Sequence, residues 1–192
     1  MNVLHIDSSA LGSNSVTREL TAAIVADLSR DNASLTITHL DLDQNSIPHL
    51  TGASLAKLDA QAAAAAEQTL QQFLDADIVV IGAPMYNFSI PSTLKAWVDR
   101  VLIAGRTFSY SEAGPKGLIS GKKVVIASGR GSQFGEDNPA DYQEGYLKQV
   151  FNFIGVTDVQ FVRAEGIAYS PQHRVDALAA AHASIPKLAL AS

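Results

Sequence analysis

The sequence predicts a three-layer α/β domain on a doubly wound, five-stranded parallel sheet in the order 2-1-3-4-5. Three observations carry this expectation. Five short apolar runs rich in β-branched residues alternate with longer stretches of helical periodicity. The third and fourth runs, DIVVIG (77–82) and KKVVIAS (122–128), are continuously apolar, as strands covered on both faces are. The 192 residues are 47% hydrophobic, enough for one substantial core and marginal for two. No shift in composition marks a boundary, so residues 1–192 are expected to form a single domain. Right-handed crossovers between five strands favour this order over the longer, six-stranded alternative.

The elements follow in turn. NVLHID (2–7) is the first strand, and the helix at 15–30 sets Leu20, Ile24 and Leu28 on one stripe. LTITHLDL (35–42) alternates more than the other strands, as an edge strand does. A helix is expected over 53–75, where AQAAAAAEQTLQQF has high helix propensity and an apolar face only from Leu70, Phe73 and Leu74. After strand 3, Pro91 suits the first turn of a helix over 91–104. Leu94, Trp97, Val98, Val101 and Leu102 repeat there at helical spacing, which reads Trp97 as packing. A helix at 142–154, a strand VTDVQFVRA (156–164) and a last helix at 171–189 complete the chain.

Composition narrows the function. The net charge is −5 without a basic cluster, so nucleic-acid binding has little electrostatic support. With no cysteine there are no disulfides, thiolate zinc sites or cysteine nucleophiles. Charged residues make up 17%, below the usual ~25%, which suits either a surface partly hidden in an oligomer or simply a chain rich in alanine. The chain enters its first strand directly, and no apolar run approaches ~18 residues, so a cytoplasmic protein with no membrane partner is expected. The histidines at 5, 39, 49, 173 and 182 show no ligand spacing; no metal is expected, and His5 reads as structural.

In such a sheet, ligands bind beyond the carboxyl ends of the strands where strand order reverses. Three unusual loops lie there. After strand 1, DSSALGSNSVTREL lacks both the dinucleotide fingerprint and the P-loop, but crowds Ser8, Ser9, Ser13, Asn14, Ser15 and Thr17 before a helix. Hydroxyls beside the unpaired N–H groups of a helix start suit a phosphate; equally, Ser13 to Ser15 could serve only as caps. After strand 3, Met85, Tyr86, Asn87 and Phe88 precede Pro91, offering apolar walls and amides for a flat aromatic cofactor. After strand 4 comes SGRGSQFGEDNPADY, where Gly129 and Gly131 permit close approach of backbone to a ligand.

With these residues in view, the sequence resembles the FMN-dependent NADH-azoreductases, within the flavodoxin-like quinone reductases. The likeness spans the chain and is strongest in PMYNFSIPSTLKAWVDRV, TFSYSEAGPKGLISGKK and FIGVTDVQFVRAEGIAY. The resemblance implies an FMN phosphate held by Ser9, Ser15, Val16 and Thr17. It lays the isoalloxazine ring on Met85, Tyr86, Asn87 and Phe88, with a second ring loop at Gly129, Arg130, Gly131 and Ser132. Where that family often has Ser-Arg-Gly-Gly, this chain has Gly-Arg-Gly-Ser, so one hydroxyl is lost from the loop. The resemblance further implies a homodimer with active sites at the interface, and Phe88, Tyr110 and Phe153 lining the substrate space.

The activity it implies is ping-pong, two-electron transfer from NADH through FMN to small aromatic acceptors. Quinones become hydroquinones and azo compounds become amines, with no catalytic side chain of its own, consistent with the missing nucleophile motifs. No basic pair marks a 2′-phosphate site, and NADPH stays open as a second donor. Two rivals compete: a flavodoxin-like single-electron carrier, for which −5 is a modest charge, and a flavin-free regulatory module on the same scaffold.

Overall fold

The computed structural model describes residues 1–32, 34–135 and 138–189. The chain runs β1 (Asn2–Asp7), α1 (Val16–Asp31), β2 (Thr36–Asp41), α2 (Gly52–Leu55), α3 (Ala60–Asp75), β3 (Ile78–Pro84) and α4 (Ser92–Val101). It continues through β4 (Phe108–Ser111), β5 (Gly114–Gly117), β6 (Lys123–Gly129), α5 (Glu144–Ile154), β7 (Asp158–Ala164) and α6 (Pro171–Ala189). The main sheet has the order β2-β1-β3-β6-β7 and every pairing in it is parallel. Its five strands thus take the order the sequence predicts. The antiparallel pair β4–β5 is an addition that sequence reading did not find, because GPKG carries no apolar alternation.

Alternate side chains of the central strands feed two cores. Leu4, Ile6, Val79, Ile81, Val124 and Ile126 pack with Phe73 of α3, Trp97 of α4 and Phe151 of α5. Val3, Val80, Val125 and Val162 pack on the other face with Leu20 and Ile24 of α1 and Ala181 and Ile185 of α6. Trp97 is fully buried, edge-on to Phe73 at 5.9 Å between centroids, so the helical stripe faces the core as read. Cutting such a residue to alanine costs about 3–5 kcal/mol. The edge strand β2 leaves its first four residues exposed.

Two helix expectations need correction. The stretch 53–75 is not one helix: Lys57 is left-handed at φ 51°, and Asp59 starts α3 afresh by accepting from the N–H groups of Gln61 and Ala62. Propensity summed over the window hid that cap. Pro91 sits at the cap of α4, one position outside the first turn. Gly155, at φ 100°, ends α5. Among the described residues, no helix is long and apolar enough to cross a membrane. The carboxyl ends of β1, β3 and β6 lie in register, with Asp7 beside Gly82 and Pro84 beside Gly129, which gathers the three loops at one edge.

Candidate functional site

The loop after β1 is pinned at both ends. Ser8 Oγ donates to the Gly82 carbonyl at 2.6 Å, and Ser15 caps α1, its hydroxyl accepting from the Arg18 N–H at 3.2 Å. Ser15 Oγ also pairs with Thr17 Oγ1 at 3.2 Å, so this serine is a cap, one of the two readings the sequence left open. The first-turn N–H groups of Val16 and Thr17 have no intrahelical acceptor, as at any helix start. Behind the loop, Arg18 donates to the Ser9 carbonyl through Nε and Nη2 (3.2 and 2.8 Å) and to both Asp41 oxygens (2.6 and 2.7 Å). That guanidinium holds the Asp41 carboxyl down at about 2.

The loop after β3 is a tight reversal. Tyr86 and Ser89 exchange backbone hydrogen bonds of 2.9 and 3.1 Å, and Asn87 and Phe88 between them both lie in the left-handed region, at φ 50° and 71°. Two central residues with positive φ make a turn of the I′ kind, whose usual occupants are asparagine and glycine. Asn87 tolerates this; Phe88 does so at a cost of roughly 1 kcal/mol or more. The strain stands the Phe88 ring outward, 58% exposed. Tyr86 turns the other way, its hydroxyl accepting from the Ala10 N–H at 3.2 Å and pairing with Ser9 Oγ at 3.3 Å. One aromatic thus joins the serine loop to the ring loop.

The loop after β6 meets both. Met85 N–H donates to the Gly129 carbonyl at 2.8 Å. A Cβ on Gly129 would stand 2.8 Å from Thr17 Cγ2, so glycine here is a packing requirement against α1. Arg130 is 1% exposed, with its guanidinium facing inward. Nε donates to Gln143 Oε1 at 3.0 Å, Nη1 to Glu165 at 2.8 Å, and Nη2 to Asp141 at 2.7 Å, with Glu144 at 2.9 Å. Gln143 in turn accepts from Ser128 and donates to the Ala83 carbonyl at 2.7 Å. The side chain of Arg130 is therefore a brace, and the loop backbone is tied down as well: the Arg130 N–H donates to the Ala164 carbonyl, and the carbonyls of Arg130, Gly131 and Ser132 accept from Ile167, Ala168 and Gly166. Asp141, Gln143, Glu144 and Glu165 escaped the sequence reading, because only the fold brings them to the arginine.

Tyr110 and Phe153 lie apart from this edge. Phe108 joins them, its ring 5.3 Å from Tyr110 and 4.7 Å from Phe153. Phe153 is at the far end of α5, roughly 14 Å along the axis from Glu144 beside Arg130. Within one chain, these two aromatics do not join Phe88.

The donor set fits FMN. Ser9, Ser15 and Thr17 are buried, and their hydroxyl pairings at 3.2–3.3 Å are longer than the ~2.7–2.8 Å usual between oxygens. A phosphate offers the same hydroxyls and the helix-start amides stronger, charge-assisted bonds.

Comparison with known proteins agrees. The family model described as "Flavodoxin-like fold" matches residues 1–188. An FMN-dependent NADH:quinone oxidoreductase of Stenotrophomonas maltophilia (strain K279a) is 62% identical over 186 residues, covering 97% of this chain and 95% of the relative. The chain belongs to this family of FMN-dependent NADH:quinone oxidoreductases. Another member, from Xanthomonas axonopodis pv. citri (strain 306), is 58% identical over 185 residues, 96% of this chain and 95% of its own. Among solved structures, an FMN-dependent NADH-azoreductase from Bacillus anthracis str. Ames Ancestor, in complex with FMN, superposes with a TM-score of 0.87. It shares 27% identity over 97% of this chain and 96% of its own. Azoreductase AzrA gives a TM-score of 0.89 at 28% identity, over 98% and 99% of the two chains.

Proposed function

We propose that this chain acts as one domain, an FMN-dependent NADH:quinone oxidoreductase that also cleaves aromatic azo compounds. The observation that carries the reading is the convergence of the three loops: Tyr86 bonded to Ser9, and Gly129 packed on Thr17. When bound, FMN supplies two-electron chemistry, accepting hydride from NADH and reducing quinones to hydroquinones and, in two rounds, azo bonds to amines. The relatives' names favour this enzyme over a single-electron carrier or a flavin-free module.

The chain's own residues bind, orient and shield. Ser9, Ser15 and Thr17, with the N–H groups of Val16 and Thr17, hold the phosphate. Met85, Tyr86 and Asn87 form the ring wall, and the loop of Gly129, Arg130, Gly131 and Ser132 lies along the ring's polar edge. Phe88, held outward by its turn, faces the slot that donor and acceptor occupy in succession. Tyr110 and Phe153, remote from Phe88 in their own chain, complete that slot across a homodimer interface from the partner subunit. The protein works in the cytoplasm, and NADPH is a second donor to test.

A visible spectrum after reconstitution with FMN tests the cofactor: no retained yellow chromophore sinks the reading. NADH oxidation that requires an added quinone or azo dye separates the enzyme from a carrier. Phe88→Ala raises acceptor KM with FMN content intact; equal loss of both makes Phe88 a cofactor wall instead. A monomer by sedimentation would remove the shared slot.

A further inference from the structure

On the α1 face of the sheet, next to the edge, three side chains converge that the flavin site does not use. The parallel register sets His5 of β1 opposite His39 of β2, and Asp7 follows His5 by two residues on the same face. The two imidazoles lie 4.4 Å apart, tilted by 33°. Both aim Nε2 at one atom: Asp7 Oδ2 is 3.0 Å from His39 and 3.3 Å from His5. The His39 contact is a hydrogen bond. His5 Nε2 is buried and, among the described residues, has no hydrogen-bond partner. An unsatisfied buried ring nitrogen costs stability, and here the hydrogen bond at Asp7 Oδ2 goes to His39 and not to His5.

We propose that His5, Asp7 and His39 bind a divalent transition-metal ion of the imidazole-seeking class, with zinc as the probe. The three ligand atoms all lie within 4.8 Å of one another. Ligand atoms each ~2.0–2.1 Å from a tetrahedral ion stand roughly 3.3 Å apart, the spacing that both imidazoles already hold from Asp7. Two imidazoles and one carboxylate with an open position is a donor set that zinc accepts. The carboxylate is oriented from behind, since Thr21 Oγ1 donates to Asp7 Oδ1 at 2.8 Å and leaves Oδ2 for the ion. His39, its side chain 48% exposed, gives the ion a route in and leaves room for a water ligand.

Arg18 is the opposing charge, 3.8 Å from Asp7 Oδ2. It is forked onto Asp41, so with Asp7 the group carries a net charge of −1 before the ion arrives. The ion would clamp the exposed edge strand to β1. This site is independent of the electron-transfer reading, and its test does not use activity.

Untagged, FMN-loaded protein is stripped with EDTA, dialysed and titrated with Zn²⁺ by calorimetry. One ion binds per chain, and thermal unfolding shifts upward with Zn²⁺. His39→Asn, at a half-exposed position, weakens binding roughly 100-fold or more, and so does His5→Asn. His182→Asn, which removes an exposed histidine paired with Glu19, leaves affinity unchanged. No saturable binding, or binding that both His39→Asn and His39→Gln retain at full strength, overturns the proposal.

Discussion

Arg18 and Arg130 both brace loops at the carboxyl edge of the sheet, but Arg18 is forked onto one carboxylate while Arg130 meets three. Arg18 pairs with Asp41 and steadies the Ser9 carbonyl, its side chain 17% exposed. Arg130, at 1% exposure, is shared among Asp141, Glu144 and Glu165, with Gln143 at Nε. Neither guanidinium is free for a ligand phosphate. In the proposed site the serine loop would thus meet the phosphate with neutral hydroxyls and amides. Cationic side chains shape both loops from behind. Burial separates the two braces: a charge out of water depends on its partners far more than one that water still reaches.

The largest expected effect tests that contrast. Arg130→Met leaves three crowded carboxylates, with Glu144 still bridged to Arg163, and lowers unfolding free energy by about 3–5 kcal/mol in urea titrations. Arg18→Met costs about 1–2 kcal/mol, since that guanidinium is partly solvated and only one carboxylate, Asp41, loses its fork. Equal losses would break the comparison.

Next in size is the contact between the loops. Gly129→Ala forces a methyl against Thr17 and costs about 1–3 kcal/mol, with weaker FMN retention. Thr17→Ser removes the opposing Cγ2, so the double variant recovers most of both; a cycle without coupling would place the strain elsewhere.

Smaller is the acid limb set by Asp41. Its folded pKa, about 2, lies below the ordinary value near ~4, so the carboxylate is favoured by folding. The resulting stability is complete above about pH 4 and disappears as pH falls through about 2. Asp41→Asn therefore lowers stability by about 1–2 kcal/mol at neutral pH and flattens the decline between those values. Denaturation in metal-free buffer across that range is the measurement.

The smallest effect has the opposite sign. Phe88→Gly relieves the left-handed backbone and raises stability by up to about 1 kcal/mol, while acceptor KM rises. A variant less stable than the parent would show that packing, not strain, governs the turn.

Much of the frame was legible because it rests on local patterns. Continuous apolar runs named β3 and β6 as interior strands, the spacing from Leu94 to Val101 named the buried face of α4, and serine before Val16 named a helix start. The three loops were found by position together with their serines, aromatics and glycines, since strand order says where ligands bind. Asp59 was passed over because an alanine-rich window outweighs one polar residue in any sum of propensities.

What the sequence by itself determined is therefore the sheet, its order and which loops face the ligand edge, all set by periodicity within short windows. Tertiary structure decided the rest. It turned the Arg130 side chain inward, matched Gly129 to Thr17, joined Tyr86 to Ser9, and set His39 beside His5 and Asp7. Each of those contacts spans from 32 residues (Asp7 to His39) to 112 (Thr17 to Gly129), except the local Arg130–Gln143 bond, whose partner lies across a loop. Register between strands and the closing of loops create them, and no short-range pattern encodes either.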